Sequence, residues 1–157
     1  MKSKPVLFVD SNVLIEALFI SNSAAFVIAE FVAEGTFDMA TCALVIEDVE
    51  RAILSKLANE PEALHTVIES WTELKHLTGI TIIPDSDLPT IEKTFHNYIG
   101  VMRHKADIPV LAAAINMKPA PYAILSGNRT HFNDAVSKRC GIPIYSCQEF
   151  IDQLGYM

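Results

Sequence analysis

Asp10, Glu47, Asp48, Asp107 and Asn128 are the side chains whose types and positions suggest chemistry. Each stands beside an apolar segment. Asp10 ends the run Pro5-Val6-Leu7-Phe8-Val9, Asp107 opens a strongly apolar stretch from Ile108 to Met117, and Asn128 follows Tyr122 to Leu125 through the turn Ser126-Gly127-Asn128. Glu47 and Asp48 lie in the first turn or two of a helical pattern that begins at Ala43. Oxygen ligands gathered without Cys or His select hard cations, so Mg²⁺ or Mn²⁺ shared with substrate phosphate oxygens is the chemistry to expect. No competing apparatus is present: no Ser, His and Asp set with a nucleophile elbow, no Gly-rich loop after a strand, no HExxH pair. For Asp10 taken alone, capping the helix that follows is an equally good reading.

The elements that must bring these groups together alternate between strand and helix. Pro5 to Val9 reads as an interior strand of a parallel sheet, where both faces are covered and no alternation is needed. Helices are predicted over Val13 to Ile20 and Ala24 to Ala33, then a strand over Phe37 to Ala40. Leu44, Val45, Val49, Ala52, Ile53 and Leu57 recur at helical spacing, and a further helix runs from Pro61 to a stop at Gly79. Its apolar stripe, Trp71 included, reads as core packing. Ile80 to Ile83, Tyr122 to Leu125 and Ile142 to Tyr145 read as strands, with helices through Tyr98, over Ile108 to Met117, around Asn133 to Arg139 and over Gln148 to Leu154. This order predicts an α/β fold, a three-layer α/β/α sandwich around a mainly parallel sheet. In such folds strand ends and helix starts share one rim, where ligands bind.

Composition sets limits. A chain of 157 residues, half of them hydrophobic, fits a single domain over residues 1–157 with a sizeable core. Asp10, Asn12 and Glu16 interrupt the early apolar run, so a signal peptide is not expected, and no stretch reaches membrane-spanning length. Cys42, Cys140 and Cys147 lack metal-site spacing and read as reduced thiols of a cytoplasmic protein. The net charge of −7 argues against a broad nucleic-acid-binding surface, yet carboxylates built to hold cations would themselves make the balance negative.

At these residues the chain resembles the PIN domain family, the nuclease module best known in VapC-type toxins of bacterial and archaeal toxin–antitoxin pairs. Phe8-Val9-Asp10-Ser11-Asn12-Val13-Leu14 is similar to the family's opening strand and first acid. Asp107-Ile108-Pro109-Val110-Leu111-Ala112-Ala113-Ala114 is similar to its helix-opening Asp and Ala-rich helix, and Ile124-Leu125-Ser126-Gly127-Asn128-Arg129-Thr130-His131-Phe132 to the strand and turn with the fourth polar ligand. The tail, Gly141-Ile142-Pro143-Ile144-Tyr145 with Glu149-Phe150-Ile151, fits the closing strand and helix.

The resemblance implies a Mg²⁺- or Mn²⁺-dependent endoribonuclease that hydrolyses RNA phosphodiester bonds, with a small antitoxin protein as partner and a homodimeric assembly. It implies Asp10, Asp48 and Asp107 as metal ligands, with Asn128 in support and Ser11 and Ser126 orienting the carboxylates. Two departures stand out. The family's second acid is a Glu followed by an apolar residue, whereas here Asp48 takes that register and Glu47, the alternative ligand, sits one residue earlier, about 100° away around a helix. The fourth position, often Asp, is Asn128, which brings no charge.

Substrate phosphates need local cations. Arg103, His104 and Lys105 precede Asp107, and Arg129 and His131 flank Asn128, so Arg103, Lys105 and Arg129 are expected to grip RNA. Two further readings remain at this stage. A haloacid-dehalogenase-like phosphatase also sets an Asp after its first strand, but its usual second Asp is Asn12 here. A PIN-like domain that binds RNA or a protein without cutting is the non-enzymatic alternative.

Overall fold

The computed structural model describes residues 4–102 and 104–155, so Arg103, expected to touch substrate, lies outside the described residues. Its elements in chain order are β1 (Val6–Val9), α1 (Ser11–Phe19), α2 (Ala24–Ala33), β2 (Asp38–Cys42), α3 (Ala43–Lys56), α4 (Pro61–Thr78), β3 (Thr81–Ile83) and α5 (Leu88–Tyr98). A short 3-10 turn, Lys105–Asp107, leads into α6 (Ile108–Asn116), followed by β4 (Ala123–Leu125), α7 (Asp134–Cys140), β5 (Ile144–Tyr145) and α8 (Cys147–Gln153).

The five strands form one sheet in the order β3-β2-β1-β4-β5, and every pairing is parallel rather than mainly so. Leu7, Phe8 and Val9 of central β1 are completely buried, as an apolar run covered on both faces must be. The strand order grows leftward from β1 and then rightward. Right-handed crossovers therefore put helices on both faces, the three-layer arrangement that alternation predicts. α1 packs on α2 and α3, α2 on α8, while α5 packs on α6 and α6 lies against β2.

Ala-rich α6 owes its place to small side chains. Leu111, Ala112 and Ala114 are fully buried and Val110 and Ala113 nearly so, which lets the helix backbone approach the sheet. Trp71 is buried as core, its indole N–H donating to Glu50 Oε2 at 3.1 Å.

Strand β2 begins and ends later than the predicted Phe37 to Ala40. Thr41 and Cys42, past the predicted end, are completely buried strand residues. The Thr41 hydroxyl donates to the Val9 carbonyl at 2.7 Å, which removes the cost of burying it. No single helix among the described residues is long and apolar enough to cross a membrane.

Candidate metal centre

The carboxyl ends of β1 and β4 are stitched together at the rim. The Asp10 backbone N–H donates to the Leu125 carbonyl at 3.0 Å, where β1 stops and α1 starts. Asp10 both caps and faces the rim: Oδ1 accepts from the Ser11 N–H at 2.8 Å, while Oδ2 accepts from the Ser126 hydroxyl at 3.0 Å and the Asn12 amide at 3.3 Å. Ser126 is fully buried and its Oγ also accepts from the Asn128 N–H at 3.1 Å, so one hydroxyl ties the first acid to the turn after β4. Ser11 reaches Asp10 through its backbone.

Asn12, read above only as the absence of a second Asp, is a positioning residue. Its Oδ1 accepts from the Gly127 N–H at 2.7 Å and its amide lies 3.4 Å from Ser126 Oγ. A Cβ at position 127 would stand 3.3 Å from Asn12 Oδ1, so Gly there allows the close approach. The signal was present in sequence as Asp-Ser-Asn after a strand and Ser-Gly-Asn after another, but only their pairing in space gives Asn12 this role.

Asp10 is 7 % exposed, and burial pushes its carboxyl above the usual range. The Ser11 N–H and the Ser126 hydroxyl pull it back, while the negative charges of Asp107 and Asp48 add to the rise. The charges of two acids distant in sequence thus reach Asp10. No basic side chain among the described residues pairs with Asp10. Asp48 is partly buried and pairs with Arg51 at 3.0 Å, whereas Glu47 on the same helix is exposed to solvent.

Asp107 differs from the all-oxygen expectation. His131 Nδ1 lies 2.7 Å from its Oδ2 and His104 Nδ1 3.7 Å away, and the two imidazoles stack with centroids 4.4 Å apart and planes 10° from parallel. The same His131 Nδ1 is 2.8 Å from the Asn128 amide nitrogen. One ring nitrogen cannot donate to the carboxylate and accept from the amide at once. The approach to Asp107 is close but not aligned as a hydrogen bond, and Oδ2 is buried without a hydrogen-bond partner.

The cations expected to hold phosphate separate. Arg129 donates to Glu149 Oε1 at 3.0 Å, to Asp134 Oδ1 at 2.5 Å and to the Phe132 carbonyl, so its guanidinium is engaged in joining the turn to α7 and α8. Lys105 is exposed, its ammonium 5.7 Å from the centre of the Phe95 ring.

These donors fit a divalent cation. The set is rich in carboxylate oxygen, Asp10 is a buried carboxylate with no basic partner among the described residues, and Asp107 keeps a buried oxygen without a hydrogen bond.

Comparison with solved structures finds proteins of similar fold. The fold is similar to that of a chain in the crystal structure of VapBC2 from Rickettsia felis bound to a DNA fragment from their promoter. The likeness is one of fold. It has a TM-score of 0.62 at 14 % sequence identity and covers 90 % of this chain and 98 % of that one. No protein-family model matches the sequence, and no curated protein matches it either.

Proposed function

We propose that the chain is a Mg²⁺- or Mn²⁺-dependent endoribonuclease of the PIN type, acting as the toxin of a toxin–antitoxin pair. One observation carries the reading: at the carboxyl ends of β1 and β4, Ser126 and Asn12 hold Asp10 in a network that continues through Asn128 and His131 to Asp107. Likeness in fold to a VapBC2 chain supports it, and supports a small antitoxin protein as partner.

In this reading Asp10, Asp48 and Asp107 hold the cation, with Asp48 rather than solvent-exposed Glu47 as the second acid. A divalent cation supplies Lewis acidity toward a phosphoryl oxygen and acidifies the water in its shell. The chain's own residues do the placing. Ser126 and Asn12 fix Oδ2 of Asp10, the Ser11 N–H fixes Oδ1, and Ser126 in turn anchors the Asn128 backbone. Asn128 supports the His131 side of the site. Lys105, with Arg103 two residues before it in sequence, offers positive charge to RNA phosphates beside Asp107. A homodimer is the assembly the PIN resemblance implies.

The test is cleavage of mixed RNA by the purified chain in Mg²⁺ or Mn²⁺, set against chelator and the Asp107→Asn variant. Cutting that disappears in both controls supports the proposal. RNA binding without cutting in any divalent cation would replace it with the inactive binding module.

A further inference from the structure

We propose that His104, Asp107 and His131 form a binding site for a borderline first-row divalent cation, of which Zn²⁺ is the probe, sharing Asp107 with the carboxylate site. One ligand atom from each of the three residues lies within 4.8 Å of the other two. Tetrahedral ligands at roughly 2.0–2.1 Å from an ion stand about 3.4 Å from one another. The distances from Asp107 Oδ2, 2.7 Å to His131 Nδ1 and 3.7 Å to His104 Nδ1, straddle that spacing.

Two further observations point the same way. Asp107 Oδ2 is buried with no hydrogen bond although an imidazole nitrogen is in contact distance, which leaves an anionic oxygen for a cation to satisfy. The stacked rings are both already beside Asp107, and a modest turn that splays them brings the two Nδ1 lone pairs onto one ion. Their positions are set by backbone: the 3-10 turn Lys105–Asp107 folds His104 back onto Asp107, and the His131 N–H donates to the Asn128 carbonyl at 3.2 Å.

Donor chemistry sets the ion. Two imidazoles and one carboxylate suit Zn²⁺ and its neighbours and leave a coordination position open, whereas Mg²⁺ prefers oxygen alone. The inference goes beyond RNA cleavage and does not depend on it: His104 and His131 belong to the proposed site, Asp10 and Asp48 do not.

The experiment is Zn²⁺ titration of the metal-free chain in competition with a chromophoric chelator, repeated with His104→Gln, His131→Gln and Asp10→Asn, with Mg²⁺ titrations in parallel. The wild type should bind one Zn²⁺ more tightly than Mg²⁺. Each His variant should lose more than the roughly 10–100-fold in affinity that loss of a ligand's hydrogen-bond partner costs, and Asp10→Asn should keep Zn²⁺ binding. Because His104 is exposed, its variant tests the site even if His131→Gln disturbs folding, which circular dichroism reports. Unchanged Zn²⁺ affinity in the folded His104→Gln protein, or no Zn²⁺ binding by the wild type, overturns the inference. Neither result bears on RNA cleavage through Asp10 and Asp48, which is read separately.

Discussion

Asp10 carries opposing demands in one side chain. As an N-cap and a hydrogen-bond acceptor it stabilises the start of α1; as a buried carboxylate beside two other acids it costs stability when ionised. Its folded-state pKa is raised, so the folded form holds its proton more tightly than the unfolded one. Stability from this group is therefore present at low pH and is lost as pH rises through the folded value. Asp10→Asn keeps a good cap and removes the charge. In chelator at neutral pH the variant should melt a few degrees higher, the size that about 1 kcal/mol gives in a chain of this length. Added Mg²⁺ should raise the melting temperature of the wild type and leave Asp10→Asn nearly unmoved, as calorimetry would show. The second acid is separable by the same logic. Asp48→Asn should reduce RNA cleavage by about 100-fold or more, while Glu47→Gln, on the exposed side of α3, should stay close to wild type in the same gel assay.

At the scale of elements, packing and capping hold the rim in place. Serine 146 and Glu149 form a capping box at the start of α8, and Arg129 joins that box to the turn carrying Asn128. The Ser146 N–H, aided by Arg129, holds the Glu149 carboxyl below the usual range. Here the sign reverses: the contribution is present above the ordinary carboxylate value and disappears as pH falls through the lowered one. Glu149→Gln should therefore flatten the acid limb of a stability-against-pH curve followed by circular dichroism, with a small effect because the group is half exposed. Helix α6 has no such tolerance. Ala114→Leu forces extra volume into a completely buried position and should cost about 1–3 kcal/mol in urea unfolding.

At the scale of the whole molecule, buried thiols and net charge set the response to conditions. Burial pushes Cys42 up to about 11 and Cys147 up to about 12. Both are raised, so the unfolded chain loses these protons first, and stability should fall as pH rises from the ordinary thiol value toward those numbers. Native labelling by a thiol reagent at mildly alkaline pH should be slow at both and reach Cys140, which is only partly buried, first. With a net charge of −7, phosphate contact must come from a few local cations. Lys105→Ala should weaken RNA binding uniformly across sequences and lower the salt slope by about 1. Arg129, already facing two carboxylates, should contribute less to that slope.

The order of strands and helices was legible in the chain because each element states its own local period and its own stops. The apolar run before Asp10, the Pro61 start and Gly79 stop of α4, and the small residues of α6 all appear where local chemistry puts them. Element ends were less legible at β2, where burial of Thr41 depends on a carbonyl supplied by β1. That Asp10 stands where β1 ends and α1 begins was equally legible, since the apolar run stops on it. Tertiary structure alone decided what surrounds the acids. Asn12 bridges two turns more than a hundred positions apart, Arg129 is drawn to acids of α7 and α8, and His104 and His131 close on Asp107. Such contacts depend on distances across the fold, which local periodicity does not encode.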